Sequence, residues 1–132
     1  MTAFEYLEQS GVPESRWANF RNWVAWYEAM RLMGVVKGED GAIRGVALVR
    51  FVKDGQKPDP YVHDEAGEDV YVDLVVCDAS SSLDNLGGRS DALCSLLTML
   101  LRNAGPRRRL IFNRHGIRKE YDYTKFMKKV LL

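Results

Sequence analysis

One carboxylate and two phenols are the side chains of this chain that are best suited to acid–base chemistry. Asp73 lies inside the apolar run Val70–Cys77, and it could take a proton if it faces a cleft. The hydroxyl of Tyr121 or of Tyr123 could donate a proton. Side chains of these two kinds can serve as the base and the acid of a catalysed reaction. The alternatives are an Asp73 carboxylate paired with an arginine, and tyrosines that pack a terminal helix.

A loop of small residues follows the same apolar run. Gly87 and Gly88 would let the backbone approach a phosphate closely, and Arg89 adds a positive charge. A helix that begins near Ser90 would add N–H groups that can hold an anion. Taken alone, these residues indicate either a plain Gly-Gly turn or a loop that binds an anion.

The cysteines and histidines do not predict a metal site. The chain has two of each, and they are scattered singly rather than at metal-ligand spacing. Cys77 and Cys94 fall in apolar segments, which indicates buried free thiols. His63 lies in an acidic stretch and is expected to be solvated, with a general base as the less favoured interpretation.

Two strands and a helix are expected to hold the candidate residues in place. The run Val70–Cys77 reads as a central strand, and Arg109–Arg114 reads as the next one. Between them, leucines at helical spacing predict a helix from about Ser90 to Asn103, ended by Gly105 and Pro106. Two strands joined by one helix are expected to be parallel neighbours, because such crossovers are right-handed.

The remaining segments predict two more helices, a hairpin and a loop. An aromatic helix is expected from Pro13 to about Leu32, ended by Gly34, with its aromatic residues in the core rather than at a membrane surface. The segment from Val35 to Val52 reads as two strands around an Asp-Gly turn. The stretch from Asp54 to Asp69 reads as a mobile loop, and the stretch from Tyr121 to Leu132 as a terminal helix.

Length and composition fit one domain in the cytoplasm. The chain has 132 residues, of which 46% are hydrophobic, and we expect a single domain with an aromatic helical region at 1–34 and a sheet and helix core at 35–132. It has no run of about 20 apolar residues, and the N-terminus carries acids where a signal peptide would carry basic residues.

Charge is distributed unevenly along the chain. The net charge is +1, but residues 102–132 carry +8 and the rest carry −7. The charges could form a solvated surface, the two halves could pair with each other, or the basic end could bind an anion such as a phosphate-bearing cofactor. Nucleic acid is a further alternative, with Arg107, Arg108 and Arg109 on phosphates and Tyr121 and Tyr123 as stacking faces.

The order helix, strand, strand, strand, helix, strand, helix resembles the core of the Gcn-related N-acetyltransferase (GNAT) superfamily. The segment Asn85-Leu-Gly-Gly-Arg-Ser90 is similar to the pyrophosphate loop of that family, although Asn85 stands where the family has Arg or Gln. Ser90 stands in place of the last small residue. The resemblance implies an α/β (α+β) single domain with a mixed central sheet and helices on both faces.

The same resemblance implies acetyl-CoA or another acyl-CoA as the cofactor. Its binding residues would be the strand end and the loop, namely Val75, Val76, Cys77, Asn85, Gly87, Gly88, Arg89 and Ser90. The expected activity is acyl-CoA-dependent N-acyl transfer to an amine of a small molecule or protein. The alternatives are a non-catalytic domain of the same fold that binds a protein partner or a second copy, and a nucleic-acid-binding domain.

Overall fold

The computed structural model describes residues 1–53, 59–77, 103–114 and 117–131. The described elements are three α-helices, a short 3-10 helix at Pro13–Arg16 and five strands. The helices are α1 (Ala3–Gln9), α2 (Phe20–Ala29) and α3 (Tyr123–Leu131). The strands are β1 (Met33–Lys37), β2 (Ile43–Val52), β3 (Asp69–Cys77), β4 (Arg109–Arg114) and β5 (Ile117–Asp122).

The five strands form one mixed sheet in the order in which they occur along the chain. β1, β2 and β3 pair antiparallel, β3 and β4 pair parallel, and β5 is antiparallel to β4. The expected parallel pairing of Val70–Cys77 with Arg109–Arg114 is confirmed, as is the mixed α+β class. Of the helix predicted between them, only Asn103 and Ala104 lie among the described residues. Both are helical, and Gly105 follows at φ 70°, as expected of a terminating glycine.

Helices cover both faces of the sheet. On the first face, α1 and α2 pack on the side chains of β2, with Leu7, Trp23 and Tyr27 among the buried residues. On the second face, α3 packs through Tyr123 on a cluster that also contains Ala104. Side chains along β2 alternate between the two clusters, as the pleat of a strand requires. The aromatic α2 is therefore core, as expected.

The predicted helix from Pro13 to Leu32 is wrong in its extent. The chain makes a 3-10 turn, then extends at Trp17, and α2 begins only at Phe20 and ends at Ala29. Gly34 does not stop a helix but lies inside β1, and Arg31, at φ 59°, makes the turn into that strand. The N-terminal α1 was not expected, although Thr2 and Glu5 form a capping box there.

The predicted terminal helix begins later than expected. Residues 117–122 form β5, so Tyr121 lies on an edge strand, and only Tyr123 lies in α3. The hairpin of β1 and β2 is confirmed, with Gly41 at φ 80° in a turn that is longer than a two-residue type I′ turn. No helix among the described residues is long and apolar enough to span a membrane.

Candidate functional site

Asp73 lies at an irregularity in the middle of β3. Leu48 of β2 pairs with Leu74, and the next residue, Val49, pairs with Val72, so Asp73 has no partner on β2. It is the extra residue of a β-bulge, a feature that bends a strand and re-aims a side chain. The bulge turns the Asp73 side chain toward α2 on the first face of the sheet.

The Asp73 carboxylate is held by two side chains. Arg50 of β2 donates from Nε to Oδ2 at 2.8 Å and from Nη2 to Oδ1 at 3.0 Å, and the Tyr27 hydroxyl donates to Oδ2 at 2.5 Å. The side chain of Asp73 is only 12% exposed. The alternative interpretation of Asp73, a carboxylate paired with an arginine at a strand face, therefore describes its surroundings.

Arg50 also connects the sheet to the loop before β3. Its Nη1 donates to the carbonyl oxygens of Asp59 and Val62, at 2.7 and 3.1 Å. Burial disfavours the charge of Arg50, but hydrogen bonding and attraction to Asp73 outweigh it and raise the pKa of the guanidinium. Burial, and then the Asp73 charge, raise the pKa of Tyr27 far above its usual value. Both groups keep their protons at neutral pH.

The pairing of β3 with β4 ends directly before the bulge. Their pairing runs from Asp69 with Arg109 to Val72 with Phe112, and β3 continues to Cys77 without pairing to β4. No described strand runs alongside this side of residues 73–77. We call the side of β3 that faces away from β2, beyond Val72, the gap side.

The register shows which backbone groups face the gap side. The backbone N–H of Val49 in β2 donates to the carbonyl oxygen of Leu32, the residue before β1. Because backbone groups alternate along a strand, the odd-numbered residues of β2 turn their N–H and C=O groups toward β1, and the even-numbered ones turn theirs toward β3. The β3 partners of Val46 and Leu48 are Val76 and Leu74. The intervening residue Val75 and the terminal residue Cys77 therefore turn their N–H and C=O groups toward the gap side.

A cavity of about 650 Å³ lies at the same end of β3, on the α1 side. Val76 and Cys77 form one wall, and Tyr6 and Ser10 of the α1 region form another. Among the described residues that line it, Arg44 has the only charged side chain, and this side chain forms an ion pair with Asp40 at 3.1 Å. A space of this size is typical of small-molecule sites.

The two predicted acids lie on the other face of the sheet. Tyr121 is 42% exposed and contacts the rings of Phe112 and Phe126. Tyr123 is 2% exposed, and burial raises the pKa of its hydroxyl. Asp73 points to α2, whereas both tyrosines belong to the α3 side. The structure therefore does not bring these three predicted catalytic residues together.

The basic residues predicted to bind phosphate or nucleic acid make contacts within the chain. Arg107 donates to the carbonyl oxygens of Ala104, Glu65 and Gly67. Arg108 and Arg109 both donate to the carboxylate of Asp69, which is fully buried.

Burial would raise the pKa of Asp69, but the hydrogen bonds from Arg109 and Arg108 outweigh it and lower that pKa. The pairing of acidic and basic parts of the chain, one of the interpretations of the charge asymmetry, thus occurs at the start of β3 and β4.

The loop before β3 is pinned to the edge of β2. The backbone N–H of Phe51 donates to Nδ1 of His63 at 3.1 Å, and the Phe51 carbonyl accepts from Asp64 N–H at 2.9 Å. The His63 side chain is 2% exposed, so the expectation that it is solvated is wrong. Its Nε2 lies 2.9 Å from Glu65 Oε1. The acidic composition of this stretch suggested that the His63 ring would be exposed to solvent, but the ring is enclosed between β2 and the loop to which it belongs.

Several predicted cofactor residues lie outside the described residues, namely Asn85, Gly87, Gly88, Arg89 and Ser90, so their roles stay predictions. Sequence reasoning missed Arg50 and Tyr27, the partners of Asp73. An arginine inside the apolar strand Ile43–Val52 was a signal that could have identified one of them, because buried charges are nearly always paired.

Comparisons of the chain with protein-family models, curated proteins and solved structures find no match. Among the described residues, no group of three or more His, Cys, Asp or Glu side chains could hold a metal ion. The case for a function therefore rests on the geometry of β3, its bulge and its neighbours.

Proposed function

We propose that this chain is an acyl-CoA-dependent N-acyltransferase of GNAT-like fold, acting in the cytoplasm on an amine of a small molecule or protein. The observation that carries the proposal is the parting of β3 from β4 beyond Val72. It leaves the backbone groups of Val75 without a described strand beside them. An extended chain that contains amides can pair with such an edge, as peptides do when they add to a sheet.

The pantetheine arm of an acyl-CoA has this chemistry, because it is extended and carries two amide groups. It would pair along residues 75–77, and the predicted loop at Gly87, Gly88, Arg89 and Ser90 would hold the pyrophosphate. Asn85 belongs to the same predicted loop. The cavity at the end of β3 offers space for the acyl acceptor beside the thioester.

In this proposal Asp73 is not the base that the sequence predicted. Its carboxylate accepts from Arg50 and Tyr27, and these hydrogen bonds hold the bulge beyond which the strands part. Asp73 is then a positioning residue for the acyl-CoA edge. The exposed hydroxyl of Tyr121 and the buried hydroxyl of Tyr123 are on the far face, and neither supports a role as the acid for the departing thiolate.

A transfer assay tests the activity. Purified protein is incubated with acetyl-CoA and a panel of primary amines, and both CoA and acetylated amine are quantified by mass spectrometry. We expect amine-dependent formation of both products, and loss of activity in Gly88→Val, which places a branched side chain where the backbone must approach phosphate. Binding of acetyl-CoA without transfer to any amine would instead favour the non-catalytic alternative.

A further inference from the structure

His63 meets the end of β2 with an unprotonated ring nitrogen. The backbone N–H of Phe51 donates to Nδ1 at 3.1 Å, so this nitrogen presents its lone pair and carries no hydrogen. The neutral ring then carries its hydrogen on Nε2, which lies 2.9 Å from Glu65 Oε1 and donates to it. The hydrogen bond from Phe51 therefore requires the neutral form of His63 and selects one of its two tautomers.

A second proton on the ring would break this arrangement. The proton would occupy Nδ1, where its N–H would face the N–H of Phe51, and two donors cannot form a hydrogen bond with each other. The His63 side chain is 2% exposed, so water has little access to either group. Both donors would stay unsatisfied unless the ring moves away from β2.

The acidic groups near the ring belong to its own loop. Glu65 attracts a charged ring, but it accepts from Nε2 whether or not Nδ1 is protonated, and it moves with the loop that contains His63. Asp64, the next residue, forms an ion pair at 3.4 Å with Lys53, which follows β2. Neither carboxylate replaces the hydrogen bond that Phe51 donates to Nδ1.

A positive charge already lies beside the Phe51 ring. The guanidinium carbon of Arg107 is 4.0 Å from the centre of that ring, and the centre of the His63 ring is 5.3 Å from it. A charged His63 would bring a second cation to the same ring, where like charges repel each other. Arg107 therefore favours the neutral ring in this position.

The loop is anchored on both sides of His63. Before His63, Arg50 donates to the carbonyl oxygens of Asp59 and Val62, and after it Arg107 donates to those of Glu65 and Gly67. Between these anchors, two hydrogen bonds at Phe51 join the loop to β2: one accepted by His63 Nδ1 and one donated by Asp64 N–H. The His63 bond is the one of the two that a proton on the ring would remove.

We propose that His63 is a pH-sensitive latch: the neutral ring holds residues 63 and 64 against the end of β2, and protonation releases them. The anchors at Arg50 and Arg107 do not involve the imidazole, so the opening is local and leaves the sheet intact. Histidine ordinarily changes its charge between pH 5 and 8, so mild acid is the expected signal. The latch does not depend on the proposed acyl transfer.

Nuclear magnetic resonance of the natural chain tests the latch directly. At pH 8, a ¹⁵N–¹⁵N scalar coupling should connect the Phe51 amide nitrogen with His63 Nδ1 across their hydrogen bond. At pH 5 this coupling should be absent, and the hydrogen-exchange protection factor of the Phe51 amide should be at least tenfold lower. The amide of Val72, in the middle of the sheet, should keep its protection factor.

His63→Gln is the matched variant. The glutamine side-chain oxygen can accept from the Phe51 N–H and is not protonated in this range, so the protection factor should not depend on pH. His115→Gln removes the other histidine of the chain and should behave as the natural chain does.

Three results would overturn the proposal. The first is a Phe51 protection factor in the natural chain that is the same at pH 8 and pH 5. The second is an equal fall in His63→Gln, since acid would then act on another group. The third is the absence of the ¹⁵N–¹⁵N coupling at pH 8, a result that needs no variant and stands even if His63→Gln does not fold.

Discussion

Arg50 and Asp73 form a bidentate ion pair between neighbouring strands, with N–O distances of 2.8 and 3.0 Å. Asp73 is the bulged residue of β3, and the Arg50 side chain is only 4% exposed. The remaining Arg50 nitrogen, Nη1, bonds two carbonyls of the loop that precedes β3. The Arg50 guanidinium thus connects the bulge to the loop before β3. The Asp73 carboxylate that it binds also accepts from Tyr27, which connects the bulge to helix α2.

Arg50→Lys should destabilise the fold by about 2–4 kcal/mol, because one ammonium group cannot replace hydrogen bonds from all three guanidinium nitrogens in a buried setting. Urea unfolding at pH 7 measures the effect. The control is Arg44→Lys, whose ion pair with Asp40 is exposed and should contribute less than about 0.5 kcal/mol. Equal losses in the two variants would contradict the role given to Arg50.

The buried Asp69 should make stability depend on acid pH. Arg108 and Arg109 lower the pKa of its carboxyl in the folded state, whereas the unfolded carboxyl titrates at about 3.9. The stabilisation is therefore fully present above that value and is lost as the pH falls through the lower, folded pKa. We expect Asp69→Asn to be less stable than the natural chain at pH 7.

The free energies of unfolding of Asp69→Asn and of the natural chain should converge as the pH is lowered from about 5 toward 2. Urea midpoints measured at several pH values across this window provide the test. If the urea midpoint of Asp69→Asn stays below that of the natural chain by the same amount at every pH, Asp69 does not stabilise the fold through its charge.

Trp23→Ala should cost about 3–5 kcal/mol, because this side chain is 6% exposed and packs edge-on against Tyr27 in the core under α2. Trp17 contacts Trp23 but is 48% exposed, so Trp17→Ala serves as the matched control and should cost far less. Thermal unfolding compares the two. A similar melting temperature for Trp23→Ala and the natural chain would contradict the core assignment.

Gly67→Ala should destabilise the chain by about 2–3 kcal/mol, since a Cβ atom there would lie 2.5 Å from the backbone nitrogen of Val52. Gly11→Ala isolates the backbone effect: Gly11 has φ 76° and open space around it, so about 1 kcal/mol of conformational strain is expected. Urea midpoints rank the two. If the two substitutions lower the urea midpoint equally, the loop that contains Gly67 can move away from β2.

The sequence was most informative where local pattern and chain connectivity agree. The apolar run at Val70–Cys77 identified a central strand, and the helical leucines between it and Arg109–Arg114 required a parallel neighbour. Gly105 marked the turn after the helix correctly. β5 was missed because charged residues dominate it, even though its residues alternate about the sheet as those of any strand do.

The candidate site depended on contacts between residues that are distant in sequence. Arg50 and Asp73 are 23 residues apart, and Tyr27 is 46 residues from Asp73. Apolar periodicity does not report which charged residues meet across a sheet. The bulge at Asp73 is also not readable from the sequence, because a strand that is apolar on both faces has no polar–apolar alternation that an extra residue would interrupt. The bulge lies directly after Val72, the last residue of β3 that pairs with β4.

Calorimetric titration of acetyl-CoA and of 3′-phosphoadenosine 5′-diphosphate into the purified chain tests the central claim most directly. The nucleotide keeps the 3′-phosphate and the pyrophosphate of acetyl-CoA but lacks the pantetheine arm, so if that arm pairs with the β3 edge beyond Asp73, acetyl-CoA should bind at least tenfold more tightly, about 1.4 kcal/mol. Gly88→Val should weaken acetyl-CoA binding by a similar factor. No heat and no thermal shift with millimolar acetyl-CoA, or equal affinities for the two ligands, would contradict the account.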